Sequence, residues 1–297
     1  MKMVIQMPCP KSRFRLQSSA FERTDDSHKV DPKRVVFLSV EGDETERTYF
    51  QHLNAHLDNS IIKIEVLRHR RGDGYSDPQY VIELLEEYIS LRDGDVIPDD
   101  IQKALSDKYS KPVLTHYLTG DVSLPKNKKD EIQSDLMLAG IDYDYRRYLR
   151  ELQDKPGNSD IFAVILDRDA GNHSKELLEA CETSCKEKGY LYCLSNPCFE
   201  FWLLLHLCDP QDEYSPEQLK NFLENKNVSK RHTALSAVIS SKTNQYKTIG
   251  LRAFEEHYFP NISKAMTRSK SYATTFPDLY DNLGSNIPDL LRMLESK

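Results

Sequence analysis

The chain has 297 residues, 39% of them hydrophobic and 29% charged, with a formal net charge of −7. That balance belongs to a globular chain and excludes both a disordered polyelectrolyte and a membrane-embedded bundle. No apolar run approaches the roughly 20 residues of a bilayer span, and Met1–Pro10 lacks an apolar core of signal-peptide length, so the expectation is a cytoplasmic protein without membrane attachment. The six cysteines, at 9, 181, 185, 193, 198 and 208, form no C-x-x-C pair. They read as buried free thiols of a reducing compartment rather than zinc ligands.

Residues 1–32 carry little periodicity and are expected to form an irregular N-terminal arm. Arg34–Val40 is a β-branched apolar run, the pattern of a strand buried on both faces. A helix is predicted over Thr45–Leu57, where Tyr49, Phe50, Leu53 and Leu57 recur on one side. Ile61–Leu67 reads as a second strand and Tyr80–Leu91 as a helix. Between Asp93 and Gly157 the alternation lapses, with Pro98, Pro112, Pro125, Pro156 and a Tyr-rich stretch at Tyr143–Tyr148. A structureless loop of that length does not suit a compact domain, so 93–157 is predicted to be an inserted, mostly helical subdomain. Ile161–Leu166 is a third strand, Ser174–Lys188 a helix and Tyr190–Leu194 a fourth strand. From Pro197 the pattern is helical almost to the end, closing with Asn286–Leu294. Strands alternating with helices predict an α/β fold with a mainly parallel sheet flanked by helices. Its core is divided between 33–92 and 158–297, with further helices at the C-terminus.

Three predicted strand ends carry acids. Glu41 follows the first, where open α/β sheets place their ligands, and Gly42 permits a sharp turn into the next helix. Asp43-x-x-Glu46 fits a capping box, which accounts for Asp43 and Glu46 as helix starters but not for Glu41. The third strand ends in Asp167-Arg168-Asp169. Residues two apart in an extended chain face the same side, and two adjacent carboxylates repel unless a cation lies between them. Oxygen-only ligands favour Mg²⁺ or Mn²⁺. Turns are also rich in Asp, so this pair alone leaves both readings open. The fourth strand runs into Ser195-Asn196-Pro197-Cys198-Phe199-Glu200-Phe201-Trp202-Leu203-Leu204-Leu205-His206. Asn196 suits an N-cap and Pro197 a first helical position. Glu200 is the one carboxylate in a strongly apolar stretch, costly unless paired with a core arginine or recruited to a metal.

The charge is segregated. Lys226–Lys270 holds nine basic residues against Glu255 and Glu256, a local +7 that leaves −14 for the remainder. A second cluster is Arg68-His69-Arg70-Arg71. A basic face beside an acidic metal site suits phosphate chemistry, although a solvated helical surface gives the same count. The candidate nucleic-acid contacts are Arg68, Arg70, Arg71, Lys226, Lys230, Arg231, Lys242, Lys247 and Arg268. There is no G-x-S-x-G elbow, P-loop or G-x-G-x-x-G, which argues against serine hydrolysis, nucleotide hydrolysis and dinucleotide binding.

Val40-Glu41-Gly42-x-x-Thr45-Glu46-x-x-Tyr49-Phe50, then Asp167-x-Asp169, then Ser195-Asn196-Pro197-x-Phe199-Glu200-x-Trp202-Leu203-Leu204-x-His206 resemble the RloB family. That family is a Toprim-like group from bacterial anti-phage and restriction-associated loci. The resemblance implies a Toprim-like core in which Glu41, Asp167 and Asp169 hold Mg²⁺ or Mn²⁺. It also implies Glu46 as a second glutamate, and Ser195 with Glu200 as support for a second metal. Lys247 is the candidate transition-state cation. The implied activity is endonucleolytic cleavage of DNA or RNA, tRNA included, by a defence effector that can self-associate. RloB-like proteins are often encoded beside an ATPase, so the resemblance also implies a rival expectation, a non-catalytic or partner-gated subunit of an ATPase-containing complex, against which the three clustered carboxylates speak. The 93–157 segment is longer than the family's usual connection.

Overall fold

The architecture is that of a computed structural model, which describes residues 34–42, 44–58, 62–67, 77–92, 97, 99–119, 124–139 and 160–295. The expected arm at 1–32, the basic cluster Arg68, Arg70 and Arg71, and the stretch Tyr143–Tyr148 lie outside the described residues.

Strand β1 (Arg34–Val40) leads into helix α1 (Thr45–Ala55), β2 (Ile62–Val66) and α2 (Pro78–Arg92). Three helices follow within the long connection: α3 (Asp99–Leu105), α4 (Lys111–Thr119) and α5 (Lys126–Leu138). Then come β3 (Ile161–Asp167), α6 (Lys175–Lys188), β4 (Leu191–Asn196) and α7 (Phe199–Leu207). The C-terminal part holds α8 (Pro210–Glu213), α9 (Pro216–Glu224) and α10 (Ala234–Thr243). Helix α11 (Leu251–Ala253) runs through a π turn (Phe254–Tyr258) and a 3-10 turn (Phe259–Asn261) into α12 (Ile262–Arg268). Helix α13 (Asp278–Asp281), the short β5 (Gly284–Ser285) and α14 (Ile287–Glu295) close the chain.

The sheet order is β2-β1-β3-β4-β5, parallel from β2 to β4, with β5 added antiparallel to β4. Strands β1, β3 and β4 are buried on both faces without polar alternation, whereas β2 alternates buried Ile62, Ile64 and Val66 with half-buried Lys63 and Glu65. Val36, Leu38 and Val40 of β1, with Ala163 and Ile165 of β3, pack against Tyr49, Phe50 and Leu53 of α1, all of the apolar side of α7, and Ile287, Leu290 and Leu291 of α14. Val35, Phe37, Val164 and Leu166 face the other way, onto α2, onto Leu178, Cys181 and Cys185 of α6, and into a cluster shared with Ile101, Leu114 and Ile132 of α3, α4 and α5. The helices of the long connection therefore enlarge this face's core. The buried hydroxyl of Ser39 donates to Val81 O at 2.6 Å, pinning β1 to α2. Helix α6 begins where the Ser174 hydroxyl accepts from Leu177 N, and ends at Gly189 with φ 76, the left-handed stop that glycine supplies without strain.

One consequence of this packing places the site. Helices α1 and α6, which follow the adjacent strands β1 and β3, cover opposite faces. The chain thus winds away from these two strands in opposite senses, opening a crevice at their carboxyl ends where α/β sheets bind ligands. Among the described residues no helix is long and apolar enough to cross a membrane.

Candidate metal centre

The crevice is built from four chain segments. Glu41 continues the ladder one residue beyond β1, its N–H donating to Ile165 O at 3.1 Å. Its Oε2 accepts from the N–H of Asp167 at 3.0 Å, binding the two strand ends across the crevice. Asp167, the last residue of β3, accepts at Oδ1 from the N–H of Phe199 at 2.8 Å. Phe199 is the first residue of α7, whose N-cap residue Cys198 provides no side-chain cap. A carboxylate from a neighbouring strand thus does the capping, at the positive end of the helix dipole.

This corrects the sequence expectation for the helix start. Asn196 does not cap: it remains in β4, and its side-chain amide donates to Leu279 O at 2.8 Å. Pro197 precedes the helix on a cis peptide bond, and its carbonyl accepts from Asp169 N at 3.0 Å. Likewise Glu44 stands at the N-cap of α1 without a side-chain cap bond, while Asp43 lies outside the described residues.

Beyond Asp167 the chain turns tightly. Asp169 sits at φ 29, its carbonyl accepts from the N–H groups of Asn172 and His173, and its Oδ2 accepts from Asn172 Nδ2 at 2.7 Å. Arg168, between the two aspartates, is turned inward: Nε donates to Tyr280 O and Nη1 to His173 O, both at 2.8 Å. This arginine braces the loop. His173 is only 6% exposed, with Nδ1 3.2 Å from Asp167 O and Nε2 3.7 Å from Glu41 Oε1.

Glu46, in the first turn of α1, is buried and lies directly over Gly42. A Cβ at position 42 would fall 2.1 Å from Glu46 Oε2, so only glycine leaves room for that carboxylate. Glu200, on the first turn of α7, completes the cluster: ligand atoms of Asp167, Cys198 and Glu200 lie within 4.8 Å of one another.

Electrostatics follow from this crowding. Burial, then the charges of Glu46, Asp169 and Asp77, push Glu41 from 4.5 to about 8, against the lowering effect of the Asp167 N–H. Burial, then Glu46, Glu41 and Glu200, hold Asp167 well above the usual carboxylate range. The Cys198 thiol is raised by burial first, then by Glu200 and Asp167. A divalent cation among these groups would neutralise the mutual repulsion. The carboxylate oxygens fit a hard or borderline divalent ion.

The remaining candidates divide by position. Ser195 stands beside Asp167 in the sheet register, but its hydroxyl pairs with that of Ser285 at 2.9 Å on the far side of β4. Lys247 occupies the tip of a tight turn at φ 57, where its carbonyl accepts from the Thr45 hydroxyl at 2.8 Å and its Nζ lies 5.8 Å from the centre of the Tyr246 ring. Lys247 and Glu200 line one small cleft of about 20 Å³ together with Thr45, Ser236 and Tyr258. That volume suits a single water, and the buried Tyr258 hydroxyl has no hydrogen-bond partner among the described residues.

The turn carrying Lys226, Lys230 and Arg231 is moored at the site, because Asn225 Nδ2 donates to Cys198 Sγ at 3.2 Å and the Tyr246 hydroxyl donates to Arg231 O at 2.8 Å. Lys226 pairs with Glu224 and Lys242 with Glu213. Arg268 is employed internally, its Nη1 donating to Leu205 O at 2.6 Å and His206 O at 3.2 Å at the C-terminal end of α7. Among the described residues Lys230 and Arg231 are exposed. His173 and Cys198 are the two site residues that sequence reasoning missed. His173 stands four residues past Asp169 in a polar loop, and Cys198 sits inside the motif that singled out Glu200.

A family model described as RloB-like protein matches residues 36–294. No curated protein and no solved structure matches the chain. The chain belongs to the RloB-like family.

Proposed function

We propose that this protein is a divalent-metal-dependent endonuclease of Toprim type, acting in the cytoplasm as the effector of a bacterial anti-phage locus. The observation that carries this reading is the gathering of buried Glu46 and half-buried Glu41, Asp167 and Glu200 at one crevice, where burial and mutual repulsion raise Glu41 and Asp167. Arg168, between the two aspartates, is committed to the main-chain carbonyls of Tyr280 and His173.

Glu41, Asp167, Asp169 and Glu200 would hold Mg²⁺ or Mn²⁺, with Glu46 as the acid behind them. When bound, such an ion supplies Lewis-acid stabilisation and lowers the pKa of a coordinated water. The chain's own groups do the rest. Asp167 and Glu41, tied by the 3.0 Å bond from the Asp167 N–H, keep the two strand ends in fixed relation. Lys247, at the cleft it shares with Glu200, offsets charge developing on the phosphate. Lys230 and Arg231, on the turn moored to Cys198, engage the backbone of DNA or RNA through phosphate contacts.

The test is cleavage of plasmid, linear DNA and total tRNA with Mg²⁺ or Mn²⁺, comparing wild type with Asp167→Asn. Metal-dependent cutting that disappears in the variant supports the reading and identifies the substrate class. Cutting that persists at the wild-type rate in Asp167→Asn refutes it.

A further inference from the structure

The basic turn beside the centre carries an exposed ring that phosphate contacts do not use. Tyr246 is 42% exposed and lines, with Lys247, the cleft that Glu200 also lines. Single exposed aromatics are ordinary on protein surfaces, but this one is braced. Its hydroxyl donates to Arg231 O at 2.8 Å, and the His232 ring meets it edge to face with centroids 4.8 Å apart. The turn that carries it is tied to α1. There the Thr45 hydroxyl donates to Lys247 O, and Ile249 N donates to the Thr48 hydroxyl at 3.1 Å. The bracing does not serve to bury the ring, which stays in solvent. It does lower the ordering cost when a flat ligand settles there.

The surrounding charges indicate what that ligand is. Lys230 and Arg231 are exposed on the turn to which the Tyr246 hydroxyl bonds, and the exposed Lys247 holds its Nζ 5.8 Å from the ring centroid. A π face bordered by cations, beside an acidic crevice, matches a nucleotide: the base on the ring, the phosphate on the ammonium. As a base covers the ring, the Lys247 ammonium exchanges its contact with the π face for a charge-assisted bond to the phosphate. In a duplex both faces of each base are covered by its neighbours. Only a base already out of the stack can reach this ring.

We infer that Tyr246 is a stacking platform for an unpaired nucleobase, and that the substrate is a single-stranded or looped segment of nucleic acid rather than continuous duplex. This rests on the nuclease reading above and narrows its substrate.

The experiment is fluorescence anisotropy of the full chain, with chelator present to block cleavage. The labelled probes are oligo(dT), oligo(U), a duplex of equal length, and an abasic strand carrying the same phosphates. Wild type is expected to bind an unpaired strand about tenfold tighter than the duplex or the abasic strand. The two oligonucleotides separate DNA from RNA as the source of the base. Tyr246→Leu should lose that tenfold, leave the abasic strand within about twofold, and keep the salt dependence, because no charge is removed. Tyr246→Trp should keep the preference, since it restores a π face. A strand carrying 5-iodouracil should photo-crosslink to Tyr246 in wild type, which reads the contact in the unaltered protein. Equal affinity for the unpaired and abasic strands overturns the inference, as does a preference that survives Tyr246→Leu with crosslinks mapping elsewhere. In either case metal-dependent cutting that needs Asp167 leaves the nuclease standing. If wild type binds none of the probes, with chelator or with Mn²⁺, and cuts no nucleic acid, the nuclease reading falls and the inference with it.

Discussion

Helix α7 treats the polar groups at its two ends in opposite ways. Near its C-terminal end His206 is 1% exposed, yet fully provided for. Nδ1 lies 2.9 Å from Trp202 O, Nε2 lies 3.1 Å from the Tyr49 hydroxyl, and Arg268 satisfies the last carbonyls. At the N-terminal end Glu200 is gathered with Asp167 and Cys198, and the neighbours that raise Asp167 are further acids. Buried polar groups in folded proteins are ordinarily paired, and the histidine end follows that rule. At the acid end burial, and then the carboxylates themselves, raise Glu41 and Asp167 instead, the electrostatic pattern on which the proposed metal site rests.

The largest effect should come from Asp167→Asn. Asparagine keeps an oxygen to accept from Phe199 N, so the helix cap survives while the charge is lost. Cleavage should fall by at least about a hundredfold, and the thermal stabilisation given by Mn²⁺ should vanish in differential scanning fluorimetry. The cation-free wild type carries its own pH signature. Because Glu41 is raised from 4.5 to about 8 in the fold, the stability linked to it is fully present below pH 4.5 and is lost as pH rises through 8. The melting temperature of the chelator-treated protein should drop across that window, and Mn²⁺ should restore more of it at pH 8 than at pH 6.

The histidine end should show the reverse slope. Burial holds His206 at about 3, against 6.5 for the exposed ring. Its share of stability is therefore complete above pH 6.5 and is lost as pH falls toward 3, at roughly 1.4 kcal/mol per unit. His206→Phe should flatten that acid limb in urea titrations at pH 7 and pH 5. At neutral pH it should cost about 1–3 kcal/mol, because the Tyr49 hydroxyl loses its partner. An unchanged acid limb would mean that another group sets it.

What the sequence made legible tracks how local the cause was. The apolar runs of β1, β3 and β4 and the Ile-Lys-Ile-Glu-Val alternation of β2 place all four strands within two residues of their observed ends, because burial on one face or both leaves its pattern in the strand itself. The two-residue β5 has no such pattern and is held by pairing with Ser195 and Asn196 on one side and with Ala273 on the other. The start of α7 was misplaced because Asn196-Pro197 carries a local capping pattern, while the working cap is Asp167, 32 positions away from Phe199. Glu41, Asp167, Asp169 and Glu200 were readable as acids at strand and helix ends. His173 was not, since its meaning lies in facing Glu41, and neither was the inward turn of Arg168.

Gly42→Ala probes the acid end without removing a ligand. The added Cβ would lie 2.1 Å from Glu46 Oε2 and 2.6 Å from Glu46 Cδ, so the carboxylate must swing away. The far end of a glutamate moves cheaply, and the melting temperature should stay within about 2 °C. Divalent-ion affinity by calorimetry should weaken about tenfold, the scale of losing a supporting acid. Unchanged affinity would remove Glu46 from the site.

The smallest effect is expected at Lys247, and it separates the two roles that position combines. At φ 57 a lysine pays about 1 kcal/mol for left-handed backbone, a strain that glycine does not feel. Lys247→Gly should raise the melting temperature slightly while lowering cleavage about tenfold, since the side chain of a residue that lines the Glu200 cleft is gone. Lys247→Ala should lose the same cleavage without gaining stability, because alanine keeps the strained φ. Both variants retain the main-chain carbonyl that accepts from Thr45, so the turn stays attached to α1 and the comparison isolates the side chain. Cleavage at the wild-type rate in both would leave the basic turn as a docking surface only and take Lys247 out of the reaction.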